Sequence, residues 1–206
     1  MSAREVRHLR ERDARLVPWK NGRGITRELA LGPDGSSFER ADFDWRISVA
    51  RIEEAGPFSP FPGFERILVI TEGEGVVLEH GKLAPRARLR RLDPYRFSGD
   101  WPTHCELPRG PVADFNVLAR RGKFSAEVLA VPLGPRQLRE AVGATQTLVH
   151  VLGGPLIARV SGEEEPFELQ AGESLWLGAL TPHDEIDLVG RNERSTVVVA
   201  RLKSLH

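Results

Sequence analysis

The 206-residue chain is 40% hydrophobic and 28% charged, long enough for one large β domain or two small fused ones with a sizeable core. Its 29 Lys and Arg balance 29 Asp and Glu, so it lacks the net positive field that draws nucleic acid or an anionic membrane. The single cysteine, Cys105, has no partner for an internal disulfide, which suits a reducing cytoplasm.

Residues 1–15 alternate charges with small apolar side chains, without the apolar run of a signal peptide. No stretch reaches the roughly 18–20 apolar residues of a membrane span, and a cytoplasmic protein is expected. With 20 Gly and 15 Pro spread along the chain, long helices have little room. Gly22-Arg23-Gly24 reads as a turn, Ile25 to Leu31 as a short strand, and Leu31 to Gly35 as a second turn. Phe43 to Ile52 alternates, with Trp45, Ile47 and Val49 on one face and Arg46, Ser48 and Ala50 on the other. Ile67 to Ile70 is an apolar run that closes at Glu72-Gly73-Glu74-Gly75 and resumes at Val76 to Leu78. Leu89 to Phe97, Phe115 to Ala119 and Ala126 to Val131 continue the β pattern. Gly134 to Val142 lacks β-branched residues until its last position and is the one predicted helix, placed where a linker between two halves would fall.

An internal repeat organises these strands. Leu68 to Val77 aligns without a gap on Leu148 to Ile157, and each copy is followed by a polar loop and further strands. The halves end in similar apolar strands, Phe115 to Arg120 and Thr196 to Arg201. The pattern predicts an all-β chain of two barrels, divided into residues 1–133 and 134–206, with some N-terminal strands free to swap into the second. Two unrelated runs of β-forming residues are the plainer alternative.

"LVITEGEGVVLE" and, in the second half, "AGESLWLGALTPH" are similar to the two signature stretches of the cupin superfamily. In metal-binding cupins, two His and a Glu precede the first Gly turn and a third His follows the second motif. Here the corresponding run is Ser59-Pro60-Phe61-Pro62-Gly63-Phe64-Glu65-Arg66, with no His-x-His and an always-charged arginine beside the glutamate. His104 and His183 fall near third-ligand positions but lack partners, so neither a metal nor another cofactor is expected. An arginine entering a barrel mouth is costly to bury without an anion, and its fork matches a carboxylate. Arg66 beside Phe58, Phe61 and Phe64 therefore reads either as an acid-binding wall or as one half of an internal ion pair with Glu28 or Asp114.

Four motifs in order, "WKNGRGITREL", "DFDWRISVARI", "GPFSPFPGFERILVITEGEG" and "GPVADFNVLARRG", resemble those of the HutD/Ves family over roughly residues 5–133. One departure is Arg23, where the family has a glycine. The resemblance implies a double cupin, two fused jelly-roll barrels of the RmlC-like kind with little helix. It also implies no bound metal, a ligand pocket in the N-terminal barrel, and a regulatory or flux-limiting association with histidine degradation.

On these grounds the ligand is a small carboxylate of the formylglutamate or urocanate kind. Lys20, Arg46 or Arg66 would neutralise it, the sequence leaving open which of them faces the pocket. Trp19, Asn21, Thr26, Glu28, Ser48 and Asn116 would line the polar side and Phe58 and Phe61 the apolar side. The alternative is a metal-free isomerase or epimerase using Glu28, His104 and Asp114 as acid and base. Arg86 to Arg91 is the one basic cluster, read as a solvated face rather than a nucleic-acid contact, and Glu163 to Glu165 as a hairpin turn. The C-terminal strand Thr196 to Leu202 could pair with a second copy, giving a homodimer.

Overall fold

In a computed structural model of the chain, the described residues are 4–18, 24–141, 145–181 and 183–205. The first strands are β1 (Glu5–Leu9), β2 (Arg15–Pro18), β3 (Ile25–Gly32), β4 (Trp45–Ile52), β5 (Gly56–Pro57) and β6 (Phe64–Glu72). They are followed by β7 (Val76–Glu79), β8 (Ala87–Leu89), β9 (Tyr95–Ser98), β10 (His104–Glu106), β11 (Val112–Arg120) and β12 (Phe124–Pro132). The last are β13 (Gln137–Ala141), β14 (Gln146–Gly153), β15 (Leu156–Val160), β16 (Phe167–Leu169), β17 (Ser174–Gly178), β18 (Glu185–Gly190) and β19 (Thr196–Ser204). Among the described residues the one helical element is a single 3-10 turn, Glu11–Asp13.

The chain divides into two compact units, one of Arg15–Ser125 and the other of Met1–Ala14 with Ala126–His206. In the first, a six-stranded sheet of order β2-β3-β4-β11-β6-β9 accompanies a four-stranded one of order β5-β10-β7-β8. Leu68, Ile70 and Phe97 from the larger sheet pack with Val76, Leu78, Leu89 and Cys105 from the smaller. The second unit repeats this plan, with β1-β17-β14-β19-β12 and β13-β18-β15-β16. Its hydrophobic core is built from Val149, Val151, Leu175, Leu177, Val197 and Val199 against Leu156, Ala158, Ile186 and Leu188. Sequence-adjacent β6 and β7 are joined by the tight turn at Gly75, whose φ is +107° and whose missing Cβ would lie 2.2 Å from the Leu89 carbonyl oxygen.

Several expectations are corrected. The segment expected as a helix, Gly134 to Val142, is not one over its described residues: Gln137–Ala141 is an edge strand paired antiparallel with β18, and Leu138 packs against the core. Sheet pairing and burial override the local preference there. The border between units lies at 125/126 rather than after residue 133, because β12 hydrogen-bonds alongside β19. β1 joins the second unit through β17, the kind of exchange of N-terminal strands that the sequence left open. The expected strand Leu89 to Phe97 is two strands in different sheets, broken at Leu92 with φ +66°. In the second unit β16 and β17 likewise lie in different sheets, with Gly172 at φ +86° between them.

The ungapped repeat also needs a one-residue correction. β11 pairs with β6 so that Asp114, Asn116 and Leu118 face Ile70, Leu68 and Arg66, and the ladder skips Thr71. β19 pairs with β14 so that Val197, Val199 and Arg201 face Val151, Val149 and Thr147, and the ladder skips Leu152. Leu68 therefore corresponds to Val149, not to Leu148. In a period-two element a slip of one residue exchanges the faces.

Candidate functional site

The site lies on the inward face of the six-stranded sheet of unit Arg15–Ser125. Register fixes its membership, since directly opposed residues on neighbouring strands share a face. Thr26 opposes Ala50 and Glu28 opposes Ser48 across β3 and β4. Ser48 opposes Asn116, Ala50 opposes Asp114, and Arg46 opposes Leu118 across β4 and β11. Arg66 on β6 faces Leu118 from the other side and Phe97 on β9 beyond it. Two arginines thus flank Leu118 from strands two apart, roughly 10 Å between backbones.

This band of polar groups sits between two apolar layers. On one side is the barrel core around Leu68, Ile70 and Phe97. On the other, Phe43, Phe64 and Leu118 pack with Leu31, Phe38 and Phe61. Arg46 and Arg66 are only 5% and 6% exposed, and Ser48, Glu28 and Asp114 are buried with them. The polar face of β4 is therefore an interior, not the solvated exterior that an antiparallel sheet usually offers. The opposite face is covered too, since Trp45, Ile47, Val117 and Phe115 are buried.

The two guanidiniums are held differently. Arg46 donates from Nε to Glu28 Oε2 at 2.8 Å and stacks over the Phe38 ring at 4.1 Å, but its Nη2 is buried with no hydrogen-bond partner. Arg66 donates from Nε to the amide oxygen of Asn116 at 3.1 Å, with its guanidinium 4.4 Å from the Phe58 ring and 5.4 Å from Phe97. Of the two ion pairs weighed for Arg66, neither forms: Glu28 takes Arg46, and Arg66 has no carboxylate within ion-pair distance among the described residues. Burial pulls its guanidinium down to about 10, against the opposing pull of Asp114, so the cation stays charged at neutral pH. Burial lowers Arg46 as well, with Glu28 opposing.

Asp114 is 3% exposed, and its Oδ1 has no hydrogen-bond partner. Burial pushes its carboxyl up to about 6, with Arg66 and the Ala50 backbone N–H acting against that rise. Cys105 is fully buried in the same core, its thiol pushed up to about 12 by desolvation and by Asp114, and hence neutral.

Of the expected site residues, the structure brings together Thr26, Glu28, Arg46, Ser48, Arg66, Asn116 and Phe58. Phe61 joins through the aromatic layer, 6.2 Å from Phe38, rather than through Arg66. His104 is not in the site: it is exposed and pairs with Pro57 and Glu79, while the next residue, Cys105, alternates inward. Trp19, Lys20 and Asn21 lie outside the described residues. Phe38, Phe97, Cys105 and Leu118 were missed. Phe97 and Cys105 carried an alternation signal, whereas Phe38 sits in a turn that has none. His80 was also missed: it is fully buried, hydrogen-bonded to Thr103 Oγ1 at 2.9 Å and to Tyr95 Oη at 3.2 Å, as a core residue.

The donor set does not fit a divalent metal. Among the described residues, the inward acidic or thiol side chains are Glu28, Asp114 and Cys105, no three such groups cluster, Glu28 is bound to Arg46, and two guanidiniums stand beside them. Hydrogen-bond donors around buried positive charge suit an organic anion instead.

A model of the HutD family matches residues 11–196. The chain belongs to the HutD family. A HutD-family relative from Pseudomonas putida, described as an uncharacterised 21.2 kDa protein in the hutC 3' region, is 36% identical over 129 residues, 60% of this chain and 63% of that protein. The chain thus spans under two thirds of the length of the curated relatives it matches first. The solved structure of a conserved protein of unknown function from Pseudomonas aeruginosa PAO1 superposes with a TM-score of 0.84 at 32% identity, covering 97% of this chain and all of that one. HutD from Pseudomonas fluorescens SBW25 gives 0.78 at 27%, covering 98% and 100%. An oxalate decarboxylase at 8% identity and a nickel-bound bacterial pirin at 11% share the fold alone. The HutD chain is an all-β double cupin. Among its described residues no helix is long and apolar enough to cross a membrane.

Proposed function

We propose that this chain is a metal-independent cupin that binds a small anionic metabolite in the barrel of Arg15–Ser125, as a regulatory or flux-limiting protein of histidine utilisation. The observation that carries this reading is Arg66, a buried guanidinium that among the described residues has one hydrogen bond, to a neutral amide, and no carboxylate in an ion pair with it. Burying a charge without a counter-charge is costly, and a ligand carboxylate would offset that cost with a forked pair. The orphaned Nη2 of Arg46 supplies a second donor. Phe58, Phe97 and Phe38 supply the flat apolar walls that an acyl or unsaturated chain would fill.

The pathway assignment rests on kinship: the family bears the HutD name, and the Pseudomonas putida relative is named for its place beside hutC. The HutD of Pseudomonas fluorescens was solved in a formate condition. Urocanate and N-formylglutamate are the ligands this reading favours, with binding in the cytoplasm as the setting. Titration calorimetry with formate, urocanate and N-formylglutamate tests it, and Arg66→Met is expected to lose roughly 2–5 kcal/mol of binding free energy. Affinity unchanged by Arg66→Met removes Arg66 from the site.

A second reading is a metal-free isomerase or epimerase, favoured by one observation: Asp114 is a buried carboxyl raised toward neutrality, as a general base needs to be. NMR of each acid incubated with the protein separates the two, since a new species marks turnover and broadening alone marks binding.

A further inference from the structure

We propose that Asp114 is a ligand-contacting residue that carries a proton: the barrel takes up a small carboxylate together with one proton, which resides on Asp114 Oδ1 and is donated to the ligand, while Arg66 holds the ligand's other oxygen. This inference rests on the anion-binding reading above. The geometry points to it in three steps.

The carboxyl of Asp114 is enclosed yet incomplete. It is 3% exposed, and Oδ1 has no hydrogen-bond partner among the described residues. The charge of Arg66 acts on it, but no ion pair joins the two within 4 Å, and Arg66 directs Nε to Asn116 instead. A buried carboxylate oxygen left without a donor costs free energy, and a proton on it turns an unsatisfied acceptor into a donor.

The charges facing Asp114 leave little capacity for another anion. From β3 come Thr26 and Glu28, from β4 Arg46, Ser48 and Ala50, from β6 Arg66 with Leu68 and Ile70, and from β10 Cys105, whose thiol is neutral. Among the described residues of this band, two guanidiniums therefore stand with two carboxylates, Glu28 in an ion pair with Arg46 and Asp114 near Arg66 without one. A ligand carboxylate entering this dry band is a third anion, and like charges in a low dielectric cannot all stay ionised. Glu28 is fixed in its 2.8 Å bond to Arg46, so Asp114 is the group that yields. Its carboxyl, already raised by burial, rises further once the ligand screens Arg66. The proton comes from solvent, and no covalent bond changes. The resulting acid–carboxylate contact belongs to the short, charge-assisted class of hydrogen bonds.

The test is calorimetric titration of the intact chain with formate and with N-formylglutamate between pH 5.5 and 8.5, in two buffers of different protonation enthalpy. Neither probe titrates in that range, since free carboxyls ionise near pH 4. Affinity is expected to rise as pH falls, approaching tenfold per unit through the region above pH 6, and to level off at lower pH. At pH 7.5 the buffers should report uptake of close to one proton per ligand. Asp114→Asn should bind tighter than the wild type at pH 8, lose the pH dependence and take up no proton. A wild-type affinity that is flat with pH and free of buffer dependence overturns the inference, as does a slope that survives in Asp114→Asn. The wild-type buffer comparison decides the matter even where the variant does not fold. Failure of both acids to bind at every pH defeats the anion-binding reading itself, whereas binding without proton uptake defeats only the role of Asp114.

Discussion

Arg66 and Thr147 occupy the same place in the two barrels, as do Leu118 and Arg201. At this level of its larger sheet the first barrel carries two inward arginines, Arg46 and Arg66 on either side of Leu118, and the second carries Arg201 in the place of Leu118 itself. In the second barrel Arg201 meets Glu140 at 2.9 Å, a counter-charge supplied by the chain itself. Around it the core is aliphatic, with Val197 and Val199 where the first barrel has Asp114 and Asn116. In the first barrel Arg66 has an amide for a partner, and a buried carboxyl lies near it without closing the pair. The difference teaches how to tell structure from function among buried arginines. A cation matched by its own chain stabilises the fold, and one left open keeps its binding capacity for something else.

The largest effect expected falls on the buried ion pair of the first barrel's inward face, Arg46 with Glu28. Glu28→Leu leaves Arg46 buried beside Phe38 without its carboxylate, and truncating one member of a buried pair costs about 3–5 kcal/mol. The double variant Glu28→Leu with Arg46→Met should recover most of that loss in urea denaturation, because neither charge remains stranded. Glu140→Leu in the second barrel should cost less, since Arg201 is 24% exposed at its side chain and water can reach it. Equal losses at the two sites would erase the contrast between them.

Asp114 gives the next effect. Its folded carboxyl titrates at about 6, above the roughly 3.9 of an unfolded aspartate, so the native state binds the proton more tightly. Stability from this group is then full below about pH 4, declines as pH rises toward 6 and is flat beyond, a loss of about 3 kcal/mol. Asp114→Asn should remove that decline and leave the chain more stable than the wild type at pH 7.5, measured by urea denaturation across the range. No such term arises in the second barrel, where Val197 stands in its place. An unchanged difference between variant and wild type from pH 4 to 8 contradicts the assigned titration.

Arg66→Met separates binding from folding. Arg66 closes no ion pair, so replacing it with an apolar side chain of similar reach should cost far less stability than Glu28→Leu while acid binding is lost. Arg201→Met should do the reverse, stranding Glu140 and lowering stability with no effect on binding. A large destabilisation by Arg66→Met makes that arginine structural after all.

The fold was legible because its signals are local and repeated. Alternation at Trp45 to Ala50, apolar runs before Gly73 and Gly153, and paired terminal strands are all written in period two. The faces were harder to assign. Alternation separates Arg46 and Ser48 from Trp45 and Ile47, but it does not say that both faces are covered, since burial depends on elements distant in sequence. The partner of Arg66 was not legible either: proximity in composition suggested Glu28 or Asp114, while register places Asn116 within reach and gives Glu28 to Arg46. The ungapped repeat misplaced its first strand because the skipped Thr71 and Leu152 leave no mark in an apolar run. Gly134 to Val142 failed for a related reason, since an edge strand pinned by β18 needs no β-branched residues of its own.

The smallest effect tests the equivalence of Arg66 and Thr147 directly. Thr147 is fully buried beside Val149 in a strand whose inward face is otherwise apolar, and its hydroxyl has no hydrogen-bond partner. A buried hydroxyl without a partner costs about 1–3 kcal/mol, and valine has nearly the same shape without the polar atom. Thr147→Val should therefore stabilise the chain by about 1 kcal/mol, read as a higher urea midpoint at an unchanged slope. The same logic forbids such a gain at Asn116, whose amide oxygen receives the Nε–H of Arg66. Asn116→Val should destabilise, because it removes the acceptor that the buried guanidinium of Arg66 has among the described residues. Opposite signs at these neighbouring levels of the two barrels would mean that polar groups in the first are held in a working network, and that the lone hydroxyl in the second is a leftover the core tolerates.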